Sequence, residues 1–430
     1  MRISSSQIFD SGALGIQRNQ QGLFKLQNQL SSGRRILTPE DDPVAAAQAL
    51  IVTQSQDINA QHIENQGNAR AQLNQVEANL SSLTDLMQGV IERAAEAKGS
   101  LTNAQRGFIA TDLQLKFNAM LAIANTDDGT GQFMFSGYQG GTRPFAIDGS
   151  AVPVPPATVP PVVYFGDDGD RLVQVEASRQ IAGNISGAEL FMNIRSGNGT
   201  FATAVGGNSG GGINQGTALI DAGSVINPAQ WNTAVNAHGS FRIEFSMGGS
   251  GLEYQIYNAA NVGMLAAPAA FVPGQAIPLQ KTTAPAANFG AQVVVSGTPA
   301  VGDRFTVAPS ANQSIFKTLQ NLIGAIQTPV SATFTLTELT NRIQTEVANL
   351  DGSLNNLARV RADVGSRMNE LDSLTNGSKD LNLQYSTALS ALQDLDYTEA
   401  ISKFTMQQTQ LEAAQKSFVK IQSLSLFSIL

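Results

Sequence analysis

The segment Gly207-Asn208-Ser209-Gly210-Gly211 has the Gly-x-Ser-x-Gly spacing of a hydrolase nucleophile, and Asp221 and His238 follow in the order of that triad. The chemistry needs a strand ending at the serine and a helix starting after it. Here the serine sits in the run Gly206 to Gly212 with no helical pattern behind it, so a solvated, flexible loop is the better reading. Gly197-Asn198-Gly199, after Phe191-Met192-Asn193-Ile194, imitates a dinucleotide loop. Gly-rich and β-branched residues follow where the pyrophosphate-binding helix should start, which favours a plain turn. No Gly-Lys dipeptide occurs, so a Walker A loop is absent.

Metal chemistry fares no better. Asp167, Asp168 and Asp170 lack the spacing of a twelve-residue calcium loop and read as a turn. Asp394, Asp396 and Glu399 precede a helical stripe, where carboxylates favour the helix N-terminus. The chain has no cysteine and two histidines, His62 and His238, which excludes thiol nucleophiles, disulfides and cysteine-ligated zinc. The expectation is a protein with no catalytic, cofactor-binding or metal-binding residue, and therefore no enzyme. Its 26 basic and 34 acidic residues leave a net charge of −8, which argues against nucleic acid as a partner. No stretch is long and apolar enough for membrane insertion, and the N-terminus lacks the apolar core of a cleaved signal peptide.

The distribution of glycine and proline shows what must carry the function instead. Of 40 glycines, 8 lie in residues 1–126, 29 in 127–330 and 3 in 331–430; of 16 prolines the split is 2, 14 and 0. Proline breaks helices, so both ends can be long helices and the middle cannot. Ala69, Leu73, Val76, Leu80, Leu83, Met87, Val90, Ala94, Ala97 and Leu101 recur at steps of three and four, a seam for another helix. Asp42 supplies a cap for that helix and Pro43 fits its first position. After a break at Gly99 to Gly107, Ile109, Leu113, Phe117, Met120 and Ala124 resume the stripe.

The C-terminal third mirrors this, from Leu336 through Leu339, Ile343, Leu350, Leu357, Val364 and Leu371 to Leu374. Asn376-Gly377 reads as an interruption. Short stripes lie at the extremes: Leu23, Leu26 and Leu30 near one end, and Ile401, Phe404, Leu411 and Phe418 near the other. These seven residues are the candidate assembly interface. Each stripe is too narrow to offset the ordering of its own backbone, so the ends are expected to be disordered in the free chain and helical in an assembly.

The middle reads as strands at 162–165, 172–175, 241–245, 254–257, 293–295 and 305–307, with a helix over Ile315 to Ile326. Segments 201–217 and 261–280 carry no charge and read as surface loops or linkers. The resulting fold class is multidomain α+β: a long antiparallel helical bundle or coiled coil from both chain ends, with an inserted β-rich middle. The expected division is 1–40 with 396–430, 41–145 with 330–395, and 146–329.

Leu30-Ser31-Ser32-Gly33-Arg34-Arg35-Ile36 followed by Asp41-Asp42 resembles the N-terminal motif of bacterial flagellins, and Asp394-Leu395-Asp396-Tyr397 with Glu399-Ala400 resembles their C-terminal motif. The motif residues are thus Gly33, Asp41, Asp42, Asp394, Asp396 and Tyr397. Three further segments are similar to the hook–filament junction branch of that family: Gly131 to Gly137 with Pro144-Phe145, Gln407 through Phe418, and Leu424-Ser425-Leu426-Phe427. After the paired Asp the chain has Pro43-Val44-Ala45-Ala46 where flagellins proper usually have Ala-Ala-Gly, and Ser428 stands where the junction branch often has an acidic residue.

The resemblance covers about 1–145 and 330–430. It implies a structural subunit that self-assembles into a helical ring, with hook-associated protein 1 below and flagellin above. It also implies an export chaperone, passage through the flagellar type III export apparatus without a cleaved signal, and an extracellular place in the flagellum. The alternatives are a filament flagellin and, on the β-rich middle, a surface adhesin.

Overall fold

The computed structural model describes residues 5–152, 157, 160–249 and 251–427; Ser428 of the junction motif lies outside them. Among the described residues the α-helices are α1 Ser5–Ser32, α2 Pro43–Ala97, α3 Asn103–Ala124, α4 Pro228–His238, α5 Ile315–Gln327, α6 Leu336–Gln393 and α7 Tyr397–Phe427. The described residues form two compact units. The first comprises those of Met1–Gly67, Gln174–Arg179 and Asp372–Leu430, and the second those of Asn68–Val173 and Gln180–Leu371.

In the first unit the α2–α6 seam is polar rather than leucine-rich. Asn59 Nδ2 donates to the Ser378 carbonyl at 2.7 Å, and Gln56 Nε2 reaches Asn382 Oδ1 at 3.0 Å and Ser386 Oγ at 3.1 Å. Gln66 Nε2 bridges Ser378 Oγ at 3.1 Å and the Val175 carbonyl at 2.8 Å. Small Ala45 and Ala49 are buried in the same unit.

In the second unit the predicted stripe is the core. Ala69, Leu73, Val76, Leu80, Leu83, Met87, Val90, Ala94 and Ala97 are all buried, as are Ile109, Leu113, Phe117, Met120 and Ala124 of α3. Thr102 and Gln105 form a capping box that starts α3 after the break. The aromatic rings of Phe117, Phe135, Phe145, Phe191 and Phe316 pack edge-on, tilted or stacked with centroids 5.1 to 6.1 Å apart. This cluster joins α3 and α5 to the Gly131–Gly137 segment.

The β-rich part of that unit contains a five-stranded antiparallel sheet in the order Ala269–Ala270, Gly251–Asn258, Phe241–Gly248, Asp303–Pro309, Phe201–Asn208. A second sheet pairs Ala276–Lys281 with Ala287–Ser296, which also pairs with Leu219–Ile220 and Ser224–Val225. Inward-facing Phe241, Ile243, Phe245, Phe305 and Val307 meet Leu279, Val293, Val295 and Trp231 of α4 in one core.

Three sequence expectations are corrected. The run 201–217 is no linker: Phe201–Asn208 is an edge strand with Phe201 and Thr203 buried. Gly206 lies where a Cβ would sit 3.1 Å from Arg304 Cβ, at the register shift between Arg304 and Phe305. The rest of the run is anchored, because buried Asp303 accepts from Asn208 Nδ2 and from the amides of Gln215, Gly216 and Ala300 at 2.7 to 3.2 Å. Within 261–280, Ala276 begins a six-residue strand. Finally, α6 passes through Asn376-Gly377 unbroken, since an exposed glycine weakens a helix without stopping it when neighbouring turns are held.

Candidate assembly interface

Both motif loops meet at one joint. Helix α1 ends at Gly33, whose φ of +69° is the left-handed conformation that glycine supplies at a helix terminus. Its amide donates to the Gln29 carbonyl at 2.9 Å, and its carbonyl accepts from the Leu395 amide at 3.0 Å. A Cβ at this position would stand 2.9 Å from the Tyr397 hydroxyl. Arg34 forms an antiparallel bridge with Asp394, and Arg35 donates its amide to the Gln393 carbonyl at 2.7 Å and its guanidinium to the Leu392 carbonyl at 2.8 Å.

The carboxylates of the joint each close a piece of backbone. Asp41 accepts from the amides of Leu37 at 2.9 Å and Thr38 at 3.2 Å, and pairs with Lys25 at 2.5 Å. The Lys25 ammonium foremost, then those two amides, hold the Asp41 carboxyl down at about 2. Asp42 caps α2 through the Ala45 amide at 3.0 Å, with Pro43 first in the helix. Asp394 accepts from the Ser390 hydroxyl. Asp396 caps α7 through the amides of Thr398 at 2.9 Å and Glu399 at 3.1 Å. Two of these acids, Asp42 and Asp396, are helix caps, as the sequence suggests. The hydrolase trio is not assembled. Ser209 bonds through its amide to Gly302, Asp221 accepts from the amides of Gly223 and Val294, and His238 packs on Phe289.

From this joint α1 and α7 run antiparallel. Phe9 packs on Phe418 with ring centroids 4.8 Å apart, a Cβ on Gly12 would meet Phe418 at 2.9 Å, and one on Gly22 would meet Gln407 at 2.6 Å. Gly12 and Gly22 leave the space that the Phe418 ring and the Gln407 amide occupy. The expected disorder of the ends is therefore not what the single chain displays: both are helical and paired. The stripe residues Leu23, Leu26, Leu30, Phe404, Leu411 and Phe418 lie half-buried, whereas Ile401 is 54% exposed.

A second apolar set is partly exposed. Phe9, Leu14 and Phe24 on α1 and Ile401, Met406 and Val419 on α7 are exposed, with Ile401 and Val419 on one face. Val44, Leu50, Ile51 and Ile58 on α2 are exposed as well. The sequence pattern hides these residues because each helix carries a stronger stripe, and the exposed positions of α1 and α7 follow, as a set, no helical repeat of their own.

Residues 3–140 match the bacterial flagellin N-terminal helical region, and residues 347–430 match the flagellin C-terminal helical region. The two together take in just over half of the chain. The chain belongs to the bacterial flagellin family. Within that family it is 25% identical to flagellar hook-associated protein 3 of Escherichia coli (strain K12) and 24% identical to that of Salmonella typhimurium, in both cases across 100% of this chain and 99% of the relative. It also resembles the crystal structure of the flagellar junction protein FlgL from Legionella pneumophila, with a TM-score of 0.68 and 26% identity over 81% of this chain and 100% of the other. The joint built on Gly33 and Asp394 thus lies inside both matched flagellin regions.

Proposed function

We propose that this flagellin-family chain is the structural subunit that joins hook to filament, and that it does so without catalysis or a cofactor. The observation that carries the reading is the extent of the likeness. The match to hook-associated protein 3 runs over the full chain, insert included, and does not stop at the terminal helices common to the family.

In this reading the domains are 1–40 with 396–430, 41–145 with 330–395, and 146–329, and the first of these mediates assembly. Leu23, Leu26, Leu30, Phe404, Leu411 and Phe418 hold the helix pair, while Ile401 faces a neighbouring copy in a helical ring. The partners are copies of itself, hook-associated protein 1, flagellin, an export chaperone and the type III export apparatus, and the protein works outside the cell after export without a cleaved signal. The open apolar surface of α1 and α7 supports this, because a subunit in an open helical array must leave complementary faces uncovered until it is built in.

Electron microscopy of a deletion strain tests the function. Hooks without filaments, with flagellin monomer in the medium, are expected. Normal filaments on that strain would overturn the reading, and a dominant band in sheared filaments would make the chain a filament flagellin instead.

A further inference from the structure

Within the second unit, three segments meet at a buried carboxylate that the assembly surface does not use. Glu346 of α6 accepts from Asn321 Nδ2 of α5 at 3.1 Å through Oε1, and from Asn349 Nδ2 at 3.0 Å through Oε2. Asn349 in turn accepts the amide of Gly197 at 2.7 Å, in the turn that opens the edge strand of the five-stranded sheet. That turn lies close on α6, since a Cβ on Gly352 would be 3.2 Å from the Arg195 carbonyl. Glu346, Asn349 and Ser353 are all buried along this face.

The two oxygens of Glu346 are not equivalent. Asn349 cannot turn its amide over without losing the Gly197 bond, so Oε2 must remain an acceptor. The Asn321 amide is committed to Glu346 and not to the backbone of the insert, so it can rotate and present Oδ1 instead. A proton on Oε1 would then be donated to Asn321 while Oε2 keeps its bond from Asn349. The ionised state, by contrast, leaves a full charge in a buried site whose hydrogen-bonded partners are side-chain amides.

We propose that Glu346 is a proton-operated clamp, in which uptake of a proton on Oε1 tightens the hold of α5 and α6 on the base of the β-rich insert and its release loosens the fold. Burial is the first cause that drives it toward the neutral acid, pushing its pKa up to about 7, against the opposing bonds of Asn349 and Asn321, the Lys317 ammonium and Gln313. Lys317 is the charged group bearing on it. The sign follows from linkage. An acid whose folded value lies above its unfolded one adds stability in full below about 4.5, and this is lost as pH rises toward 7. A single proton changes the folding constant by at most about tenfold per pH unit, so a loss of up to about a hundredfold is expected between pH 5 and 7.5.

Thermal and denaturant unfolding of the full chain between pH 4.5 and 8.5 tests this. Glu346→Gln copies the neutral charge and shape of the protonated acid, with an NH2 donor in place of the O–H and a carbonyl acceptor. Its stability should be flat across the window in which the parent declines, and it should exceed the parent above pH 7. Lys317→Met, at an exposed position, should leave the chain folded at pH 5 and move the decline to higher pH. Hydrogen exchange at the Gly197 amide should follow the same curve. A parent whose stability does not fall between pH 5 and 7.5, or a Glu346→Gln variant (or, where that variant does not fold, Lys317→Met) with the parent's pH profile unchanged, would overturn the clamp.

Discussion

Helix α1 has 28 residues, and among its described side chains Gln29 alone is buried; α5 has 13, and ten of them are buried. Both are real helices, yet they are held by different means. The α5 face of Ile315, Phe316, Leu319, Leu322, Ile323 and Ile326 finds its partners within its own chain. The α1–α7 pair closes at one end on a hydrogen-bonded joint and at the other on Phe9 and Phe418, half-buries the stripe between them, and leaves Leu14, Phe24, Ile401, Met406 and Val419 exposed. Helical order can thus be secured by caps and a few close approaches with little full burial.

The contrast is broken most severely in the second unit. Phe316 is fully buried among Phe117, Phe145 and Phe191. Phe316→Ala should destabilise that unit by about 3–5 kcal/mol, since a large buried ring leaves a cavity that rigid neighbours cannot fill. Calorimetry should show its transition lowered while proteolysis at Lys25 and Arg34 stays as in the parent. An unchanged transition would mean that the cluster does not carry the core.

At the joint the expected effects are smaller. Gly33→Ala forces a side chain into the left-handed region and toward the Tyr397 hydroxyl, and should cost about 1–2 kcal/mol. Cleavage at Arg34 and Arg35 should then accelerate while the second unit is unaffected. The Asp41 carboxyl, held down at about 2, contributes stability that is present above its ordinary value of 3.8 and lost as pH falls from 4 toward 2. Its Lys25 partner is 51% exposed, so screening limits the contribution to about 1 kcal/mol. Asp41→Asn should remove that acid-dependent step from the exchange of the Leu37 and Thr38 amides. A step that persists in the variant assigns it to another group.

Much of this arrangement was legible in the residues. The absence of proline beyond residue 330 and its scarcity before 127 delimit the long helices, and Asp42-Pro43 marks where α2 starts. The α2 stripe is buried residue for residue up to Ala97. The glycine-rich strand Phe201–Asn208 was hidden because its pairing with Asp303–Pro309 is made by residues about a hundred positions away, and local composition contains no trace of them. Helix α4 was missed for a related reason: its apolar face is little more than Trp231, Ala234 and Val235, and packing on the Ala287–Ser296 strand supplies the rest. The joint was legible as a family motif but not as geometry, since the bridge between Arg34 and Asp394 depends on chain closure.

The smallest effect on the free chain should come from the residue proposed to meet a neighbouring copy. Leu411 is half-buried in the α1–α7 pair, so Leu411→Asp should open that pair as well as block self-association. Ile401 is 54% exposed, so Ile401→Asp should leave unfolding of the monomer within about 0.5 kcal/mol of the parent. In an assembled array the same aspartate would lie between subunits, where an unpaired charge costs several times that amount. Sedimentation of purified chain under polymerising conditions, set beside calorimetry of the dilute monomer, separates the two roles. Loss of polymer with an intact monomer is the expected result for Ile401→Asp, and loss of both the polymer and the protease resistance of α1 and α7 is expected for Leu411→Asp. If Ile401→Asp polymerises as the parent does, the open face of α7 is not the surface on which copies meet, and assembly must be carried by the α1 residues Phe9, Leu14 and Phe24 or by the exposed stripe of α2.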